Sequence, residues 1–409
     1  MKSETVSFTS ANGQNLSGRL ELPPDRLPHQ YAIFAHCFTC SKDLKAVREI
    51  SRALSREGFG VLRFDFTGLG SSEGDFAATN FSGNVEDLLA ASAFLEEEYL
   101  APALLVGHSL GGAAVLAAAF HLPAVKAVAT LGAPANPAHV THLLSHKIDT
   151  IEEEGSAEVR IGGRPFRIRR QFLEDLEEHP LEGRLKELNK ALLLMHSPQD
   201  TIVEIRNAEA LYKAAKHPKS FVSLDGADHL LGRPQDAAYA GKVIAGWASR
   251  YLPAPEAPVL ESAHQVVASL DADAGFTTEM RVGSHRVTAD EPVDFGGNNF
   301  GPSPYELVSA GLSACTVMTL QMYARRKGWD LQNAEVHTSY SKDHALDSRG
   351  FEQDSAKIDT FRRVLRLSGN LDQAQRQRLV EIAEKCPVHR TLHSTTQVLT
   401  SLMEEGRGG

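Results

Sequence analysis

Between residues 30 and 109 the chain alternates short apolar runs with amphipathic stretches: YAIFAH, KDLKAVREISRALSREGF, VLRFDF, NVEDLLAASAFLEEEY and ALLVGHS. A strand covered on both faces has no polar side to show, so it reads as an unbroken apolar run, and parallel neighbours need a helical crossover between them. The alternation therefore predicts an α/β fold with a doubly wound, mostly parallel sheet. It resumes with AVKAVATLG, ALLLMHS and KSFVSLD and ends in a helix through GKVIAGWASRYL. Ahead of it, TVSFTSANGQNLSGRLELP reads as an antiparallel hairpin turning at Asn12-Gly13.

The pattern breaks twice. Between Pro134 and Lys190 an acidic stretch and EVRIGGRPFRIRR, with a hairpin expected at Gly162-Gly163, interrupt it, which predicts a small cap inserted over the strand ends at about residues 134–190. After residue 252, PAPEAP (residues 253–258) reads as a stiff linker. Beyond it, strand-like HQVVASL, GFTTEMRVG and SHRVTAD precede a long helix, ELVSAGLSACTVMTLQMYARRKG, two further strands and a helix through QAQRQRLVEIAEK. Segregated strands and helices indicate α+β. The expected organisation is residues 1–252, a linker and residues 259–409, and 409 residues are too many for one ordinary core.

Lys plus Arg number 42 against 52 Asp plus Glu, with no dense basic run, which argues against nucleic-acid or anionic-membrane partners and for a small-molecule ligand. The N-terminus lacks the pattern of a signal peptide and no apolar stretch is read as approaching membrane-spanning length, so a cytoplasmic protein is expected. Cys37, Cys40, Cys315 and Cys386 are too few and too scattered for a disulfide scaffold.

The most specific chemistry lies in LLVGHSLGGAAVLAAA, where Gly107-His108-Ser109-Leu110-Gly111 follows an apolar strand and opens an Ala-rich helix. G-x-S-x-G in that setting is a sharp strand-to-helix turn that lifts the serine hydroxyl over the sheet edge. Serine is a weak nucleophile without a base, so an acid and a histidine must follow. Asp200, after ALLLMHSPQ, and His229, in GADHLL, are the candidates. Asp225 and Asp228 are alternative acids, although Asp228 is covalently adjacent to His229. His108 is expected to be a packing neighbour and not a base.

GHSLGG, SPQDTIVE and GADHLL resemble the nucleophile, acid and histidine segments of the α/β-hydrolase family over about residues 1–252. The resemblance implies a Ser-His-Asp hydrolase of small-molecule acyl esters, working through an acyl-enzyme without cofactor. In that family the loop after the strand preceding the first helix supplies one oxyanion amide. AIFAHCFTC lies there, so the resemblance implies oxyanion donation by the backbone N–H groups of Phe38 and Leu110. The C-x-x-C of HCFTC is open to a dithiol redox pair, half a zinc site or incidental thiols. No second ligand pair completes a zinc site, so no metal is expected. A Cys37–Cys40 bond is expected to strain or reshape the oxyanion loop, which favours two unbonded packing thiols. Ser41 reads as the N-cap of the following helix.

GPSPYELVSAGLSACTVMTLQMYA and EKCPVHRTL resemble the two cysteine segments of the OsmC/Ohr family over about residues 259–402, and the whole resembles bacterial fusions of an α/β-hydrolase with an OsmC-like domain. By that resemblance Cys315 and Cys386 are candidate redox thiols, peroxidatic and resolving respectively, for organic hydroperoxides. The supporting residues depart from the pattern. Tyr305 stands where active members carry Glu. Glu306 is one residue later, a rotation of about 100° on a helix. No arginine lies between Arg286 and Cys315, which leaves His285, Arg281 and Arg286 as substitute cations. A non-catalytic role in a homodimer is therefore expected of this domain, with a bifunctional enzyme or a thiol-dependent hydroperoxide reductase as the alternative.

Overall fold

The computed structural model describes residues 2–161, 164–178, 181, 183–255, 259–344 and 357–403. The chain divides into two compact units, residues 1–258 and 259–409. In the first unit, β1 (Lys2–Thr9) and β2 (Asn15–Leu22) form the N-terminal hairpin, with Thr9 opposite Asn15. Then come β3 (Gln30–Ala35), α1 (Lys45–Arg56), β4 (Phe59–Phe64), α2 (Phe81–Glu98), β5 (Leu104–His108), α3 (Leu110–Ala119) and β6 (Ala127–Leu131). A 3-10 stretch (Pro137–Lys147), α4 (Ile148–Glu154), β7 (Ser156–Ile161), β8 (Arg164–Arg169) and α5 (Arg170–Glu177) form the inserted segment. The main sheet is completed by β9 (Ala191–His196), α6 (Arg206–Ala214), β10 (Lys219–Ser223) and α7 (Pro234–Ala248).

The eight-stranded sheet has the order β1-β2-β4-β3-β5-β6-β9-β10 and is parallel from β4 to β10. Its apolar runs are buried on both faces because successive side chains point to opposite sides. Ile33 and Leu105 join one cluster with α2 and α3, whereas Ala32, Phe34, Leu104 and Val106 join a second with α1 and α7. Ile151, Phe172 and Leu176 of the insertion are buried in the first cluster, and the Asp175 carboxylate accepts from Ser82 N at 2.9 Å and Ser82 Oγ at 2.5 Å. The insertion is thus packed onto the start of α2. β7 and β8 pair antiparallel, while Gly162 and Gly163 lie outside the described residues, as do linker residues 256–258.

Helix α1 starts later than the Ser41 cap predicts. Its N-cap is Leu44, without a side-chain cap hydrogen bond, and the Ser41 carbonyl instead accepts from Leu44 N in a turn. Lys42 and Asp43 are drawn into ion pairs with Asp65 and Arg63, which holds this stretch out of the helix.

The second unit contains an antiparallel sheet of β11 (Val266–Ser269), β12 (Thr278–Val282) and β13 (His285–Ala289). Helix α8 (Pro304–Lys327) precedes the pair β14 (Asn333–His344) and β15 (Lys357–Ser368), followed by α9 (Gln373–Ala383) and α10 (Pro387–Leu392). Ser303 and Glu306 form a reciprocal capping box at the start of α8. Contrary to the sequence expectation, this helix is long and apolar enough to cross a membrane by length and composition. It carries two apolar stripes: Leu312, Thr316, Leu320 and Ala324 are buried, whereas Val308, Met318 and Met322 are exposed.

Candidate active site

Ser109 is the joint between β5 and α3, and its backbone sits at φ 55° and ψ −125°. A non-glycine residue there is strained by about 1–3 kcal/mol and needs surrounding structure to hold it. The Ser109 N–H donates to the Leu131 carbonyl at 2.8 Å. Glycine flanks the turn because nothing else fits: a Cβ on Gly107 would lie 2.4 Å from the Gly111 carbonyl oxygen, and one on Gly111 would lie 2.3 Å from that of His36. The two glycines let α3 sit directly on β3 and β5, which pushes the serine outward.

The later loops bring the remaining groups to it. His229 Nδ1 donates to Asp200 Oδ2 at 2.7 Å, and because a carboxylate only accepts, the proton lies on Nδ1 and Nε2 accepts from Ser109 Oγ at 3.0 Å. Asp200 Oδ1 accepts from Ile202 N and Val203 N, each at 2.9 Å. Burial alone would push the Asp200 carboxyl up, but the hydrogen bond and charge of His229 and these two amides outweigh it and hold the group below its ordinary value. The alternative acids turn elsewhere: Asp228 accepts from Leu230 N and Gly232 N of its own loop, and Asp225 accepts from Ser223 Oγ.

Two more histidines hold these loops, and sequence reasoning gave neither this task. His108 Nε2 donates to the His229 carbonyl at 2.6 Å; burial, then the neighbouring His229, lowers its pKa to about 3, so it is neutral. His196 Nε2 donates to the Val203 carbonyl at 2.7 Å, and burial likewise lowers its pKa. Their place at the ends of β5 and β9 was the available signal.

The loop after β3 turns at residues 37–40, where Cys40 N donates to the Cys37 carbonyl at 3.1 Å and Thr39 has φ 60°. Here the expectation of two unbonded thiols is corrected: Cys37 and Cys40 form a disulfide. The turn itself brings their Cα atoms to 5.3 Å, within ordinary disulfide reach, so the bond spans the loop without reshaping it. Beneath, His36 Nδ1 donates to the Cys37 carbonyl at 2.8 Å, and Lys42 donates to Asp65 through N at 2.6 Å and Nζ at 2.5 Å, both side chains being buried. Above, the Phe38 ring stacks on Phe172 of the insertion at 5.3 Å. Neither the Phe38 nor the Leu110 N–H has a protein acceptor among the described residues. An open cavity of about 410 Å³ lies over Ser109 and His229; Phe38, Leu44, Val140, Ile161, Ile202 and Leu230 give it largely apolar walls.

The second unit places Cys315 and Cys386 together, with a different set of supports from those the sequence suggested. Glu306 caps α8 at Ser303, and Arg281 donates to the Ser262 carbonyl. The nearby cation is Arg363 of β15, which donates to Thr316 Oγ1 at 2.7 Å, the Ala383 carbonyl at 3.1 Å and His389 Nδ1 at 3.0 Å. Thr316 Oγ1 lies 3.6 Å from Cys386 Sγ, to which His389 N donates at 3.3 Å. Burial would push the Cys386 thiol up, but the His389 N–H, Thr316, Cys315 and Arg363 together hold it below the ordinary thiol range. Arg363 alternates in phase with inward-facing Leu365 and Leu367, the one sequence signal that pointed to it. Among the described residues no cluster of potential metal ligands occurs.

Residues 32–295 match the alpha/beta hydrolase family and residues 296–401 the OsmC-like proteins. The first match extends past residue 258, yet β11, β12 and β13 pair only with one another among the described strands, so the physical boundary precedes them. The palmitoyl-protein thioesterase ABHD10 of Mus musculus is 32% identical over 165 residues, 39% of this chain and 53% of that protein; the chain thus matches about half the length of this relative. The esterase domain of a Rhodothermus marinus protein is 55% identical with a TM-score of 0.52, covering 62% of this chain and all of that domain. Mouse alpha/beta hydrolase domain-containing protein 10, at 21% identity and a TM-score of 0.51 over 60% of this chain and 99% of its own, shares the fold. The chain belongs to the alpha/beta hydrolase family, and an OsmC-like domain follows its hydrolase domain.

Proposed function

We propose that the first unit is a serine hydrolase of carboxylic esters. The observation that carries this reading is the relay from Ser109 Oγ through His229 to Asp200, at 3.0 and 2.7 Å, opening into an apolar cavity. Ser109 Oγ attacks the ester carbonyl while His229 Nε2 takes its proton, and the carbonyl π electrons move to oxygen. The resulting oxyanion faces the Phe38 and Leu110 N–H groups. Collapse expels the alcohol, protonated by His229, and water repeats the cycle on the acyl-enzyme. The 55% identical esterase domain supports ester substrates, and Asp200, held ionised, keeps the Nδ1 proton in place. The test is short-chain ester hydrolysis by the wild type and Ser109→Ala, with labelling of Ser109 by a fluorophosphonate. Full activity in the variant would end this reading.

For the second unit we propose a homodimer, supported by the exposed stripe of Val308, Met318 and Met322 on α8. The depressed Cys386 thiol, suited to the resolving step, favours a second reaction alongside esterolysis: Cys315 thiolate attacks the terminal oxygen of a hydroperoxide, the O–O bond breaks, the alkoxide takes a proton and leaves as the alcohol, and Cys315 becomes a sulfenic acid. Cys386 thiolate then attacks that sulfur, the hydroxyl takes a second proton and leaves as water, and an external dithiol reduces the resulting Cys315–Cys386 disulfide. Hydroperoxide turnover that depends on both cysteines tests it.

A further inference from the structure

Among the described lining residues, the cavity over Ser109 is apolar apart from its imidazoles, a few small polar groups and one charged side chain. Arg164 opens β8 in the inserted hairpin and reaches across to the oxyanion loop, where its Nη2 donates to the Thr39 carbonyl. A guanidinium carries five N–H donors and the Thr39 carbonyl takes one of them, so the planar fork keeps donors for a second acceptor. His139 and His142 line the same cavity, and no Asp or Glu does among the described lining residues. That is unexpected in a chain with 52 Asp plus Glu against 42 Lys plus Arg. A cation tethered to the Thr39 carbonyl beside apolar walls, with no carboxylate among the described lining residues to neutralise it, favours a ligand that carries its own negative charge.

The geometry points to an anionic ester as the substrate class: an apolar body with the reacting carbonyl at Ser109 and a carboxylate or phosphate held by Arg164. This rests on the ester-hydrolase reading above and narrows it. The arginine does not enter the bond-making steps. Its charge adds affinity for one set of esters over another, and because Arg164 belongs to the inserted segment, that segment selects the substrate.

The charge can sit on either side of the ester bond, and two matched pairs of substrates distinguish the sources. Mono-p-nitrophenyl adipate against p-nitrophenyl hexanoate places it on the acyl side; para-carboxyphenyl butyrate against para-tolyl butyrate places it on the alcohol side. The quantity read is kcat/KM for the anionic ester over that for its neutral partner, in wild type and Arg164→Gln. Leaving-group differences cancel because each substrate is compared with itself across the two proteins. Arg164→Gln is expected to lower this ratio by about tenfold in at least one pair, chiefly through KM, and the wild-type ratio should shrink as salt rises. Arg164→Lys keeps the charge without the fork and should retain part of the preference.

If kcat/KM falls equally for anionic and neutral esters, Arg164 only ties the hairpin to the Thr39 carbonyl and the proposal is wrong. An unchanged ratio in both pairs overturns it as well. A Ser109→Ala control separates this failure from that of the parent reading: neutral-ester hydrolysis abolished by Ser109→Ala, with a ratio indifferent to Arg164→Gln, sinks the anionic class alone. A wild type inert toward all four esters sinks both.

Discussion

Ser109 and Cys386 occupy similar places and are served in opposite ways. Each is the N-cap residue of a helix, and each has a histidine at hand. At Ser109 the imidazole of His229 accepts from the hydroxyl. At Cys386 it is the backbone N–H of His389 that reaches the sulfur, while the imidazole turns away to accept from Arg363. The difference follows from the nucleophiles. A hydroxyl must lose its proton during attack, so it needs a base; a thiol reacts as a preformed anion, so it needs a field that favours negative charge. Burial, and then the nearby Arg363 and His393, lowers the His389 pKa, so the imidazole adds no cation of its own.

The scaffolds differ in the same sense. The hydrolase site hangs from strands buried on both faces by two large clusters, whereas the buried cluster of the second unit comprises Leu320, Ala324, Leu331, Leu371, Leu379, Ile382 and Ala383. Exposed Met318 and Met322 on its longest helix leave a hydrophobic face that a second copy is proposed to cover.

The contrast is most exposed at Ser109. Ser109→Ala should lower ester kcat by about four orders of magnitude or more, measured by burst and steady-state kinetics, with an unchanged melting temperature. Asp200→Asn should cost on the order of 10³–10⁴-fold, because His229 then loses its carboxylate acceptor at Nδ1, whereas Asp228→Asn should cost far less. If Asp228→Asn proves the more damaging, the acid has been assigned to the wrong residue.

In the second unit, Met318→Glu with Met322→Glu should weaken self-association at least about a hundredfold by sedimentation, since like charges would meet across a twofold interface. A monomeric wild type would break the contrast outright. Arg363→Gln should raise the Cys386 thiol pKa by part of its depression, since the His389 N–H and Thr316 contribute more, followed by thiolate absorbance in a Cys315→Ser background compared with Cys315→Ser alone. The thiolate then appears only at higher pH, and peroxide-driven Cys315–Cys386 bond formation slows by about twofold to threefold near neutrality. An unmoved titration would remove Arg363 from the thiol site. The smallest effect is expected from Cys37→Ala with Cys40→Ala, within about threefold in kcat, because the turn keeps its Cys40 N–H bond to the Cys37 carbonyl and the oxyanion faces amides. A large loss there would make the disulfide part of the catalytic geometry.

The parallel sheet was legible because apolar runs and amphipathic helices leave a periodic record, and the serine because its flanking glycines answer a steric demand that no other residue meets. Asp200 and His229 were legible as chemistry at strand ends, where loops converge. What only the tertiary structure decided were the geometry of one tight turn and the relations between distant segments. The Cys37–Cys40 bond depends on a turn whose geometry four residues do not spell out. Arg363 reaches Thr316, beside the Cys386 sulfur, from a strand 48 residues beyond Cys315, a pairing that no spacing in the preceding loop records. Arg164 and Phe172 meet the turn at residues 37–40 from an insertion whose docking is set by packing against α2. Periodicity is a local property of the chain and survives in its sequence; pairing across a hundred residues is a property of the folded packing, and only the coordinates record it.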